Sequence, residues 1–147
     1  MFKHFLVPTD GSGLSHKAVA YAAEVARVNK ARITVFYAKP PSQLALGGEG
    51  FLNDLIAPDK LEERAERLAQ ECLNQAAQIC QAAGVPCHTV SVTSDTPAQA
   101  IIDAALREGC DLILMASHGR TGWSAVLVGS ETQRVLAHTT LPVLVYR

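Results

Sequence analysis

The sequence predicts an α/β domain built on one open, doubly wound parallel sheet with helices on both faces. Three observations carry that expectation. Short β-type runs alternate with helix-period segments along the chain, one run (Leu112-Ile113-Leu114-Met115-Ala116) is apolar without a break, and the chain has 147 residues. Continuous apolar strands are those covered on both faces, as parallel sheets require. A chain of this length buries roughly 68–70% of its unfolded surface. No composition shift marks a boundary, so residues 1–147 read as a single domain.

The elements follow in order. Phe5-Leu6-Val7 is a first strand stopped by Pro8, and Asp10-Gly11-Ser12-Gly13 supplies turn chemistry. Leu14, Ala18, Ala22, Val25 and Ala26 then recur at helical spacing. Ile33 to Ala38 is a β-branched and aromatic run ended by Pro40-Pro41. Residues 41–57 (PSQLALGGEGFLNDLIA) hold three glycines yet are too apolar for a plain linker. Irregular segments beyond ~12–15 residues are usually functional or disordered, so a flexible or lid-like insertion is expected there.

Pro58 suits a first helical position. Leu61, Ala65, Leu68, Cys72, Ala76, Ile79, Cys80 and Ala83 make the stripe that follows, stopped by Gly84 and Pro86. His88 to Val92 alternates as a strand does. Thr96-Pro97-Ala98-Gln99 matches a capping box, and Ile101, Ile102, Ala105 and Leu106 supply a core face. After the run 112–116, Ser130 with Gln133 reads as a second capping box, and Pro142 to Tyr146 is the last strand. Right-handed, helix-filled crossovers make the whole Rossmann-like, with expected strand order 3-2-1-4-5.

Composition excludes several functions. Thirteen basic and fourteen acidic residues leave a net charge of −1, so no basic field favours nucleic acid. No apolar run approaches the ~18 residues of a membrane span, and the first residues are too short an apolar stretch for a signal peptide. Cys72, Cys80, Cys87 and Cys110 form no C-x-x-C pair. They are expected as free thiols in a reducing cytoplasm, with Cys72 and Cys80 packed in the core.

In open parallel sheets ligands sit beyond the carboxyl ends of the strands. The residues there are Pro8-Thr9-Asp10, Ala38-Lys39 and the segment 116–133 (ASHGRTGWSAVLVGSETQ). Glycines and hydroxyls before a helix can cradle an anion, or simply make a tight strand-to-helix connection; composition leaves both readings open. A P-loop is absent, and Gly11-Ser12-Gly13 fails as a dinucleotide fingerprint because His16 stands at the third glycine position. Ser117-His118 lacks a G-x-S-x-G elbow, and neighbouring residues at a strand end make a poor nucleophile and base, so no catalytic residue is expected.

Three stretches carry a resemblance: LVPTDGS (6–12), DLILMASHGRTG (111–122) and LVGSETQRVLAHTTLPVLVYR (127–147). Together they resemble the universal stress proteins, in the adenine-nucleotide α-hydrolase-like superfamily. That family's nucleotide motif is glycine, two residues, glycine, nine residues, glycine, then serine or threonine. Gly119, Gly129 and Ser130 fit it; Ala116 stands at the first position.

The resemblance implies ATP, or ADP or AMP, held across the switch point in a stress response. Pro8, Thr9, Asp10 and the backbone of Ala38 would meet adenine and ribose, with Met115 and Ala116 on the sugar side. Ser117, His118, Gly119, Arg120, Gly129, Ser130, Glu131 and Thr132 would surround the phosphates, with Mg2+ offsetting Glu131. The Ala116 methyl is expected to weaken binding by roughly 1–3 kcal/mol, so Ala116→Gly should tighten it. The family also implies a homodimer through Val143, Leu144, Val145 and Tyr146. The alternatives are a nucleotide-free dimer acting on an unidentified protein partner and a slow ATPase.

Overall fold

The computed structural model describes residues 1–41, 58–119 and 128–147. The insertion expected at 41–57 therefore lies, Pro41 apart, outside the described residues, as does Arg120. The elements are β1 (His4–Pro8), α1 (Gly13–Asn29), β2 (Arg32–Lys39), α2 (Pro58–Ala82), β3 (Cys87–Thr93), α3 (Pro97–Arg107), β4 (Leu112–Ala116), α4 (Ser130–His138) and β5 (Val143–Tyr146). All pairings are parallel and the order is β3-β2-β1-β4-β5, as expected. Between the central strands the paired run is short: only Phe5 with Leu112 and Leu6 with Ile113.

Strand alternation sorts the core into two layers. Phe5, Val7, Ile33, Val35, Leu112 and Leu114 meet α1 and α2 through Ala18, Val19, Ala22, Ala26, Leu73, Ala76 and Cys80. Leu6, Phe36, Ile113 and Met115 meet α3 and α4 through Ile101, Ile102, Ala105 and Val135. No helix among the described residues is long and apolar enough to cross a membrane.

Local chemistry accounts for the ends of α1, whereas the buried faces of α2 and α3 depart from expectation. Ser12 caps α1, its Oγ accepting from the Ser15 amide at 3.2 Å. At the other end Lys30 takes the left-handed conformation with φ 51°. On α2 the stripe is rotated: Leu68 is 40% exposed, while Ala69 and Leu73 carry the buried face. Residues 69, 72, 73, 76 and 80 share one side at 3.6 residues per turn, and 68 falls off it. On α3 Leu106 is exposed rather than core, its place taken by Ala98 and Ala104.

Neither capping box forms. The Thr96 side chain makes no cap bond, and Gln99 Nε2 donates instead to Asp103 Oδ1 at 2.8 Å. On α4 the cap residue is Gly129, so Ser130 is already the first helical residue, and Gln133 Nε2 donates to the Val128 carbonyl at 2.7 Å.

His4 is 7% exposed, with Nε2 2.8 Å from Thr34 Oγ1. Burial first, and the Arg32 charge second, hold its pKa below the ordinary 6.5. The unfolded chain thus takes up this proton at a higher pH than the folded one. The His4 contribution to stability is complete above pH 6.5 and is lost as pH falls through the folded-state pKa. Urea midpoints measured from pH 7 down to pH 5 are expected to fall, and to fall less steeply in His4→Gln. Equal slopes for the two proteins would remove His4 from the account.

Candidate functional site

A cavity of about 550 Å³ lies beyond the carboxyl ends of the central strands. Its size is in the ordinary range for small-molecule sites, ~300–1,000 Å³. β1 contributes Pro8 and the turn residues Thr9 and Asp10; β2 contributes Ala38. β4 contributes Met115 and Ala116, followed by His118 and Gly119, and the start of α4 contributes Gly129, Ser130, Glu131 and Thr132. The structure thus brings together twelve of the fourteen residues expected at the site. Ser117 does not line the cavity, and Arg120 is outside the described residues.

Four lining residues were missed: Ser15, Phe36, Pro97 and Ile101. Phe36 carried a usable signal, since it lies two residues before Ala38 on the same strand and so faces the same way.

The β1–α1 turn is held by its own side chains. The Thr9 and Ser15 hydroxyls lie 3.0 Å apart, Thr9 Oγ1 accepts from the Gly11 amide at 3.2 Å, and Ser15 Oγ donates to the Ser12 carbonyl at 2.9 Å. Asp10 Oδ1 accepts from the Ser12 amide at 2.9 Å, an Asx turn. Its other oxygen is packed against Gly119, where an added Cβ would sit 2.6 Å from Oδ2.

The described ends of the β4–α4 connection are packed as closely. The Gly129 amide donates to the Ser117 carbonyl at 2.7 Å. A Cβ on Gly129 would meet His118 Cα at 3.2 Å and the Ser117 carbonyl at 3.3 Å. A side chain is thus disfavoured at Gly119 by the Asp10 carboxylate and at Gly129 by the Ser117–His118 backbone, and the first turn of α4 lines the cavity. That turn has amides without intrahelical partners and the positive end of the helix dipole.

Several expected roles change on this geometry. The Thr132 hydroxyl donates to the carbonyls of Ala116 (3.1 Å) and Ser117 (3.2 Å), tying helix to strand instead of facing a phosphate. Glu131 Oε2 accepts from the Ala98 amide at 2.8 Å and Oε1 from Arg134 Nη1 at 2.9 Å. Both carboxylate oxygens are engaged in capping α3 and pairing with Arg134, so this residue is no ready cation ligand. Contrary to the adjacency argument, Ser117 Oγ lies 3.0 Å from His118 Nδ1. Ser117 is only 4% exposed, however, and its hydroxyl is not presented to the cavity.

The Ala116 methyl is packed in the α1-side core, 9% exposed. Ala116 also lines the cavity, so Ala116→Gly acts on packing and on the cavity together. Lys39, at the end of β2, is turned to α2 and pairs with Glu66, whose carboxyl this hydrogen bond holds below its usual range. Glu131→Ala should cost about 1 kcal/mol of stability by uncapping α3, and Glu131→Gln much less. Urea unfolding of the two variants measures this, and equal costs would show that the contact with Ala98 is not what matters.

Fold and site together define a doubly wound α/β domain with a ligand-sized cavity at the switch point and a glycine-made passage into its last helix. The chain belongs to the universal stress protein family, whose model matches residues 1–147. A universal stress protein of Thermus aquaticus is 33% identical over 147 residues, the whole of both chains. The solved structure of MJ0577 of Methanocaldococcus jannaschii superposes with TM-score 0.76 at 27% identity, covering 99% of this chain and 96% of that one. The Archaeoglobus fulgidus universal stress protein in complex with dAMP shares the fold, with TM-score 0.70 at 20% identity over 99% of this chain and 98% of its own. Structures of the same fold include one in complex with cAMP and one with AMP bound.

Proposed function

We propose that this chain, as a single domain over residues 1–147, binds ATP or a related adenine nucleotide (ADP or AMP) in the cavity and serves a cytoplasmic stress response as a homodimer. The observation that carries this reading is the coincidence of the family's glycine positions with the two close approaches that wall the cavity, of Gly119 to the Asp10 carboxylate and of Gly129 to the Ser117–His118 backbone. Phe36, Ala38, Pro8 and Met115 offer an apolar wall for a flat heterocycle, and Thr9 and Asp10 offer polar edges for base and ribose. The amides at the start of α4 suit a phosphate. Any Mg2+ would ride on the phosphates, since Glu131 is committed elsewhere. Binding is favoured over turnover because the Ser117 hydroxyl is outside the cavity.

Self-association through β5 is supported by its place at the sheet edge and by the half-buried Val143, Leu144, Val145 and Tyr146. Unpaired edge groups invite another strand. The Tyr146 ring packs on Tyr21 at 5.4 Å between centroids.

Mass spectrometry of gently purified, then denatured protein is expected to show copurifying adenine nucleotide. Calorimetry of stripped protein is expected to show saturable ATP or AMP binding. A preparation that carries no nucleotide and takes up none at millimolar concentration would end this reading. Light scattering is expected to give twice the chain mass, and Val145→Asp to halve it.

A further inference from the structure

The amino ends of the strands, opposite the cavity, hold a second hollow of about 630 Å³. The end of α1 contributes Arg27 and Lys30, β1 contributes His4 with Lys3 before it, and Arg32 opens β2. The turns into β3 and β4 close the cleft, and the second of them brings Asp111. Its charge is one-sided: four lining residues are cationic and Asp111 is the one acid, in a chain whose net charge is −1. That acid is turned inward, Oδ2 accepting from the Lys3 amide at 2.7 Å and Oδ1 from the His4 amide at 2.9 Å. Lys3 Nζ donates to the Asn29 carbonyl at 2.8 Å. The ion pairs among the described residues, Lys39–Glu66, Arg107–Glu108 and Arg134–Glu131, use none of Arg27, Lys30 and Arg32, all of them exposed.

Helix ends account for part of this. The carboxyl ends of α1, α2 and α3 all lie at this end of the sheet, each equivalent to about half a negative charge. Against a formal charge of +3 on the lining side chains, that leaves a surplus of about +1.5 in a concave site, where low-dielectric walls focus the field. The lining of the upper cavity, by contrast, includes no lysine or arginine among the described residues.

We infer that this cleft is a second ligand site, for a compound carrying a chain of phosphates, either free condensed phosphate or the tail of a nucleotide. Guanidinium forks match phosphate oxygens two at a time, and the lysines add point charges. The cations stand on three separate segments, so an anion whose charge is spread along several groups reaches more of them than a single phosphate does. Two histidines report on the two hollows separately. His4 lines this cleft and is 7% exposed, its Nδ1 turned to the Gly109 backbone without a hydrogen bond of ordinary geometry. His118 lines the upper cavity.

The full chain is titrated with inorganic tripolyphosphate, with orthophosphate and with ATP, and the ring signals of His4 and His118 are followed by NMR, assigned with His4→Gln and His118→Gln. Tripolyphosphate is expected to shift His4 saturably at millimolar concentration or below, and roughly tenfold more tightly than orthophosphate, as additional charge-assisted contacts imply. Arg27→Gln combined with Arg32→Gln should keep the fold by circular dichroism and weaken this binding roughly tenfold or more. Tripolyphosphate acting on His4 at lower concentration than ATP assigns free condensed phosphate, and the reverse order assigns a nucleotide; either supports the site. A His4 signal unmoved by all three compounds, a response confined to His118, or binding unchanged in the double arginine variant would overturn it, whatever the upper cavity binds.

Discussion

Gly119→Ala is expected to lower adenine-nucleotide affinity by roughly 10- to 100-fold, the equivalent of the ~1–3 kcal/mol that overpacking a tight contact costs. The new Cβ would stand 2.6 Å from Asp10 Oδ2. Asp10 cannot retreat freely, because its other oxygen holds the Ser12 amide at 2.9 Å. Either that turn opens or the backbone after β4 moves, and each displaces a wall of the cavity. Gly13→Ala is the matched control, since an added methyl there meets no heavy atom within 4 Å. Calorimetric titration of both variants with ATP and AMP, with circular dichroism to confirm the fold, decides the matter. Equal affinities for wild type and Gly119→Ala would separate the Asp10–Gly119 contact from ligand binding.

Phe36→Ala is expected to be the most destabilising single change at the site, at about 3–5 kcal/mol. That is a large share of the ~5–15 kcal/mol by which a domain is stable. The ring is 1% exposed and packs with Ile101 and Met115 in the α3-side core, while lining the cavity. Truncation therefore removes both core contacts and the cavity's flattest apolar wall. Phe36→Leu keeps most of the volume and should remain folded, so it carries the binding measurement: a several-fold loss of affinity is expected. Guanidinium unfolding gives the stability term. A Phe36→Ala loss below about 1 kcal/mol would mean that the layer collapses around the gap.

Much of this architecture was legible in the sequence because its cause is local. The unbroken apolar run 112–116 is too short for a buried helix and so reads as a strand covered on both faces, and the periods of 2 and 3.6 separate the other strands from the helices. What sequence reasoning lost has a tertiary cause. The motif at Thr96 to Gln99 is a sound local cap, yet the amino end of α3 is capped at the Ala98 amide by Glu131, thirty-three residues further on. The motif at Ser130 slips by one because Gly129 alone can pass the His118 backbone closely. Thr132 and Glu131 looked like ligand groups because their partners, two strand-end carbonyls and a helix amide, are invisible in a linear pattern. Pro97 and Ile101 reach the cavity only because α3 crosses over the sheet to lie beside α4.

The central seam of the sheet has a consequence for how occupancy would be felt. β1 and β4 share two paired positions, yet Pro8 and Ala116, at their far ends, both face the same hollow. A guest lodged there would act as a clasp across the seam with the fewest paired positions, bridging a half made of the first three strands to a half made of the last two. Deuterium uptake would then slow in both halves at once, far from any atom the guest touches.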